Sequence, residues 1–121
     1  DEAVSGKWQP ADELLENMAR SEHLRWCAFH YAMGFRAMTP REFQERCGVY
    51  LSEKAAHGLT KYRIGKDLTQ RIHCCLIPWD DLDELSDLEN KVTGGHVDYK
   101  QMDRDNVLAL PELLRACKED L

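Results

Sequence analysis

The segment from Pro10 to Gly34, PADELLENMARSEHLRWCAFHYAMG, constrains this chain more than any other. It reads as one uninterrupted helix. Pro and acidic residues stand at its start and Gly at its end, the polarity that capping favours. Leu15, Met18, Ala19, Glu22, Trp26, Phe29 and Met33 recur at helical spacing. The chain has 121 residues, about one domain by size. Residues 1–121 are therefore expected to form a single domain around one core.

The remaining segments are shorter. TPREFQERCG predicts a second helix, with Thr39 as cap, Pro40 at the first position and Gly48 as its stop. YLSEKAAHGL predicts a further helical stretch. TKYRIGKDLTQRIH is basic, carries Gly65 in its middle, and reads as strand or loop. CCLIPWDDL is a short apolar run broken by Pro78, expected as a strand or extended segment that enters the core. DDLDELSDLENKVTGG predicts an acidic helix or turn ending at Gly94 and Gly95. DRDNVLALPELLRACKEDL predicts a closing helix that starts near Leu110 or is kinked by Pro111. The expected fold is mainly α with short β-strands, of the α+β class.

Charge and composition exclude several functions. The net charge of −6 disfavours a nucleic-acid partner. Positive charge is nevertheless concentrated at Lys54, Lys61, Arg63, Lys66 and Arg71, and acids dominate from Asp80 to Asp103. No apolar run approaches the ~20 residues of a membrane helix, so no direct membrane insertion is expected. The polar start DEAVSGKWQP has neither the basic nor the apolar region of a secretory signal. It also lacks an initiator Met, which suggests a piece of a longer protein. Five cysteines form an odd set without regular spacing. That favours reduced thiols and a cytoplasmic location over a disulfide framework.

His23, Cys27 and His30 share one helix face at i, i+4 and i+7. Imidazole and thiolate suit zinc, but the same pattern describes a half-buried face with Cys packing as a small hydrophobe. His73, Cys74 and Cys75 offer further donors, yet adjacent residues of an extended segment point to opposite sides. No metal and no cofactor are assigned on this ground. Nothing marks an activated nucleophile, and no phosphate-cradling glycine motif is present. The chain is read as a non-enzyme. Trp26, among His, Arg and Glu, is either core or a flat platform on which a ring stacks. The basic segment with Arg63, Lys66 and Arg71 is available for phosphates.

Three segments together resemble the ryanodine receptor repeat. SEHLRWCAFHYAMGF resembles that family's E-x-H-x-x-W…GW opening. KDLTQRIHCCLIPWDDL resembles its basic R-D-D…K-x-x-H-P-C-L-V-P-Y-E-E-L segment. DRDNVLALPELL is similar to its last helix, which in bacterial versions opens K-D-R-D…I-P-x-L-L. The order agrees, and the blocks lie between residues 13 and 114. Two departures stand out: the stretch from residue 36 to 62 is much longer than in the family, and Cys74 replaces the Pro that follows the family's His.

The resemblance implies a compact domain of helices with short strands and a non-catalytic role. It implies a module that binds a nucleotide or nucleotide-derived signalling molecule and relays this to the remaining domains of a larger chain. Carried over by position, the stacking residue is Trp26, its neighbour His23, and the phosphate contact Lys66. Arg63 and Arg71 join them on charge. His30 and Glu22 complete the expected ligand-binding set, although Glu22 can instead hold Arg25. Animal members act as facing tandem pairs, which implies a symmetric homodimer for a chain with one repeat. The alternative is a protein–protein interaction domain that uses the acidic face from Asp80 to Glu89.

Overall fold

The computed structural model describes residues 11–112, 115 and 116. The expected helix start at Pro10, the tail of the closing helix and Cys117 lie outside the described residues. The chain is mainly α with short β-strands. Its elements run α1 (Asp12–Ala32), β1 (Arg36–Ala37), α2 (Pro40–His57), β2 (Lys66–Asp67), β3 (Ile72–His73), a 3-10 turn (Trp79–Asp81), α3 (Leu82–Thr93) and α4 (Tyr99–Leu108). No helix among the described residues is long and apolar enough to cross a membrane.

The contacts divide the chain into two units. One runs from Trp26 to Tyr99. The other combines the residues up to Arg25 with those from Lys100 onward. In this second unit Ala19, His23, Asp103 and Val107 are buried, and Arg104 pairs with Glu16.

The Trp26–Tyr99 unit is built on a three-stranded sheet of order β1-β3-β2, parallel between β1 and β3 and antiparallel between β2 and β3. Met38, Ile64, Ile72, Leu76, Trp79 and Leu82 form its core. Helix α2 packs against α3.

Local chemistry accounts for most boundaries. Helix α1 ends with Gly34 at a φ of 86°. There the Phe35 N–H donates to the His30 carbonyl at 2.9 Å, and the Gly34 N–H to that of Tyr31 at 3.0 Å. This is the closure that a left-handed glycine permits. The Phe35 and His30 rings meet at 5.1 Å across it, as the apolar contact of such an end. Helix α2 opens with the expected cap: Thr39 Oγ1 accepts from the Glu42 N–H at 3.1 Å, and Glu42 Oε1 accepts from the Thr39 N–H at 2.9 Å. Arg36 grips the same carboxylate through two 2.7 Å bonds. These bonds, the Arg36 pair foremost, hold the Glu42 carboxyl down at about 2.

Two sequence expectations are corrected. Gly48 does not stop α2, which continues to His57 and ends at Gly58 in the left-handed region. A single glycine disfavours a helix by only ~1 kcal/mol, and the run that follows it is helix-forming. Nothing lies within 4 Å of the position a Gly48 Cβ would take. Gly48→Ala should therefore raise stability by ~0.5–1 kcal/mol, read from the urea midpoint. Second, CCLIPWDDL is no strand: β3 ends at His73 and the chain turns at Cys74 and Cys75. It does enter the core, with Cys74, Cys75, Leu76 and Trp79 buried. The closing helix follows the kinked alternative: α4 begins at Tyr99 and is interrupted at Ala109, with helix again from Leu110 into Pro111.

Candidate functional site

The sheet register sorts its side chains. Lys66 and Ala37 both pair with His73, and Asp67 and Arg36 both pair with Ile72. Directly paired residues share a face and successive ones alternate. Ala37, His73 and Lys66 therefore lie on one face of the sheet, with Arg36, Ile72 and Asp67 on the other.

The last turns of α1 meet the His73 side. The Trp26 ring lies edge-on to the His73 imidazole, with centroids 4.8 Å apart and an interplanar angle of 80°. His30 covers one face of the indole at 3.9 Å and 33°. The two imidazoles lie 5.8 Å apart. Trp26 is half-buried.

Hydrogen bonds give these histidines opposite proton arrangements. His30 Nδ1 lies 2.9 Å from the Trp26 carbonyl, and a carbonyl only accepts, so this nitrogen carries a proton. His73 Nδ1 accepts the Cys75 N–H at 3.0 Å, so it does not.

The other expected site residues are dispersed. His23 is only 3% exposed, and its Nδ1 lies 3.3 Å from the Asp103 carboxylate, within the unit that excludes Trp26. Glu22, in the same unit, forms a two-pronged pair with Arg25. That guanidinium is the main reason the Glu22 carboxyl is held below its ordinary value. Arg71 has a φ of 56°. Its Nη1 donates to the Met33 carbonyl at 3.3 Å, closing the end of α1. Arg63 is exposed and Lys66 half-buried.

One organiser of the basic segment escaped the sequence reading. Arg46, on α2, donates from Nε to the Ile64 carbonyl at 2.8 Å and from Nη2 to those of Lys66, at 2.7 Å, and Arg63. Its Nη1 reaches Asp67 Oδ2 at 3.3 Å, and its guanidinium lies 4.7 Å from the Tyr62 ring centroid. One side chain thus fixes the backbone that carries Arg63 and Lys66. No local pattern announces it, because its partners lie 17 to 21 residues away.

Beside the sheet sits a thiol and carboxyl cluster. Cys74 Sγ is 3.8 Å from Cys75 Sγ and 3.8 Å from the Tyr99 hydroxyl, which itself donates to Glu89 Oε1 at 2.7 Å. The Cys75 thiol, with help from His73, holds Cys74 down at about 5 despite its burial. Burial above all raises Glu89 and Tyr99. Gly65 is required here: a Cβ would stand 2.7 Å from Cys74 Sγ and 3.1 Å from the Tyr99 hydroxyl. An apolar groove of about 570 Å³ adjoins the cluster. Phe43 and Cys47 of α2, Leu85, Leu88 and Val92 of α3, and Cys74 line it, with Asp81 and Glu84 also bordering it.

No protein-family model, curated protein or solved structure matches this chain.

Proposed function

We propose that the chain is a non-enzymatic sensing module that binds a nucleotide or nucleotide-derived signalling molecule and relays that state to the rest of a longer protein. Trp26 offers a ring for stacking and Lys66 a charge for phosphate. The observation that carries this reading is the β2–β3 register, which sets Lys66 on the sheet face of His73, the residue that meets Trp26 edge-on. Base stacking on an aromatic ring contributes ~1–3 kcal/mol. A lysine–phosphate hydrogen bond adds a charge-assisted contact. The likeness of three segments to the ryanodine receptor repeat supports the same ligand class. In this reading a second copy supplies the opposite wall of the pocket, as a symmetric homodimer. His23, Glu22 and Arg71, also expected in the ligand set, engage Asp103, Arg25 and the Met33 carbonyl in this structure.

A thermal-shift screen against nucleotides tests the proposal, since a ligand that binds only the native state stabilises it by RT ln(1 + [L]/Kd). Lys66→Ala should then weaken a nucleotide about tenfold and leave its nucleoside unaffected, because the charge-assisted bond needs the phosphate. Equal loss for both ligands would assign Lys66 to folding instead.

A second reading is a protein-interaction domain. The apolar groove between α2 and α3, bordered by Asp81 and Glu84, favours it. An amphipathic helix with basic flanks fits such a surface. A flat nucleotide screen at millimolar ligand would move the weight to this reading.

A further inference from the structure

We infer that His73, Cys74 and Cys75 form a binding site for a thiophilic divalent cation of the zinc class. This site does not depend on the nucleotide reading; the turn after β3 builds it. His73 Nδ1 accepts the N–H of Cys75, two residues on, at 3.0 Å. That bond folds three consecutive side chains toward one another, where extended backbone would alternate them. Their donor atoms lie within 4.8 Å of each other.

The thiol separation fits the ion. Zinc–sulfur bonds of about 2.3 Å at a tetrahedral angle span an edge of about 3.8 Å. Cys74 Sγ and Cys75 Sγ stand 3.8 Å apart, so a cation bridges them without widening the pair. Both residues are buried, at 4% and 5% exposure, which shields the soft donors from water. His73 is half exposed, and Cys74 borders the open groove, so an ion has a way in.

The imidazole is suited too. A cation at its Nδ1 replaces the bond from the Cys75 N–H and the His73 contact with the Cys74 thiol, and takes over their part in holding the turn. Each thiol that ligates releases its proton, and two thiolates neutralise a divalent charge. Three protein donors leave the fourth tetrahedral position to water or to a ligand atom, the arrangement of an open rather than a closed zinc site.

Cadmium is the probe, because its thiolate complexes absorb in the ultraviolet. The whole chain, reduced and stripped with EDTA, should develop that band at one equivalent of cadmium, and zinc should displace it. Cys75→Ser should weaken binding by at least about tenfold, whereas Cys47→Ser should leave it unchanged. Should Cys75→Ser fail to fold, alkylation of the wild-type chain decides. Zinc should slow maleimide labelling of Cys74 and Cys75 in the native chain relative to the EDTA-treated chain and leave the rates of Cys27 and Cys47 unchanged. No thiolate band at one equivalent, or equal protection of all five thiols, overturns the site.

Discussion

Arg46→Ala is expected to lower the unfolding free energy by about 3 kcal/mol and to release the chain around residues 62–67. The side chain is 14% exposed and serves three backbone carbonyls and the Asp67 carboxylate. Truncation leaves those acceptors without their donor, and an unsatisfied buried group costs ~1–3 kcal/mol. Part of the segment is exposed, so water recovers part of the loss, which keeps the total well below a simple sum. The contact with Tyr62 adds ~0.5–1 kcal/mol. Arg46→Lys should rescue little, because an ammonium is a point donor and cannot span carbonyls that a planar fork reaches together. Urea unfolding gives the stability, and hydrogen exchange at Ile64, Gly65 and Lys66 locates the change. A loss below about 1 kcal/mol, with exchange unchanged, would mean that the sheet alone holds this segment. In the proposed nucleotide reading, since β2 carries Lys66, the same substitution should also weaken nucleotide affinity at a distance from the ligand.

The contrast between Arg46 and Thr39 explains what a sequence can reveal. Thr39, Pro40 and Glu42 act within one helical turn, so the start of α2 is legible from neighbouring letters. The ends of α1 and α3 at Gly34 and Gly94 are legible for the same reason. Gly48 misleads because its local penalty is small and the helix around it, docked on α3, absorbs it. The turn at Cys74 is hidden because CCLIPWDDL opens on a short apolar run, which period alone cannot assign to a strand or to a buried turn. It forms when His73 takes a backbone N–H, and no residue pattern demands that bond. In the candidate site, the ring of Trp26 was visible as a residue type out of keeping with its neighbours. Its partner His73 lies 47 positions away and joins it only through the sheet register. His23 enters the ligand set only through the resemblance; its imidazole is buried against Asp103, a partner 80 positions away that no local pattern announces.

If the proposed nucleotide site is right, Trp26→Ala should cut nucleotide affinity by ~1–3 kcal/mol, a loss of roughly 5- to 150-fold, while the domain stays folded with lowered stability. Two contributions have to be separated. The indole is half-buried and packs on His30 at 3.9 Å and on His73 at 4.8 Å. Each aromatic pair contributes ~0.5–1.5 kcal/mol beyond burial, so truncation also loosens the contact between α1 and β3. Trp26→Phe keeps a ring against both imidazoles and should retain most of the stability. It keeps a smaller stacking surface, so its affinity should fall between those of the wild type and the alanine variant. Because His30 covers one face of the indole, His30→Ala should alter stability more than nucleoside affinity. Calorimetric titration and urea unfolding of the same three variants give both quantities side by side. Trp26→Ala that is folded, by circular dichroism, and binds nucleotide with unchanged affinity would sink the stacking role. The nucleotide reading would then rest on Lys66 alone. If Trp26→Ala does not fold, Trp26→Phe carries the test: wild-type affinity in a folded Phe variant with much reduced stability would assign the indole to the core.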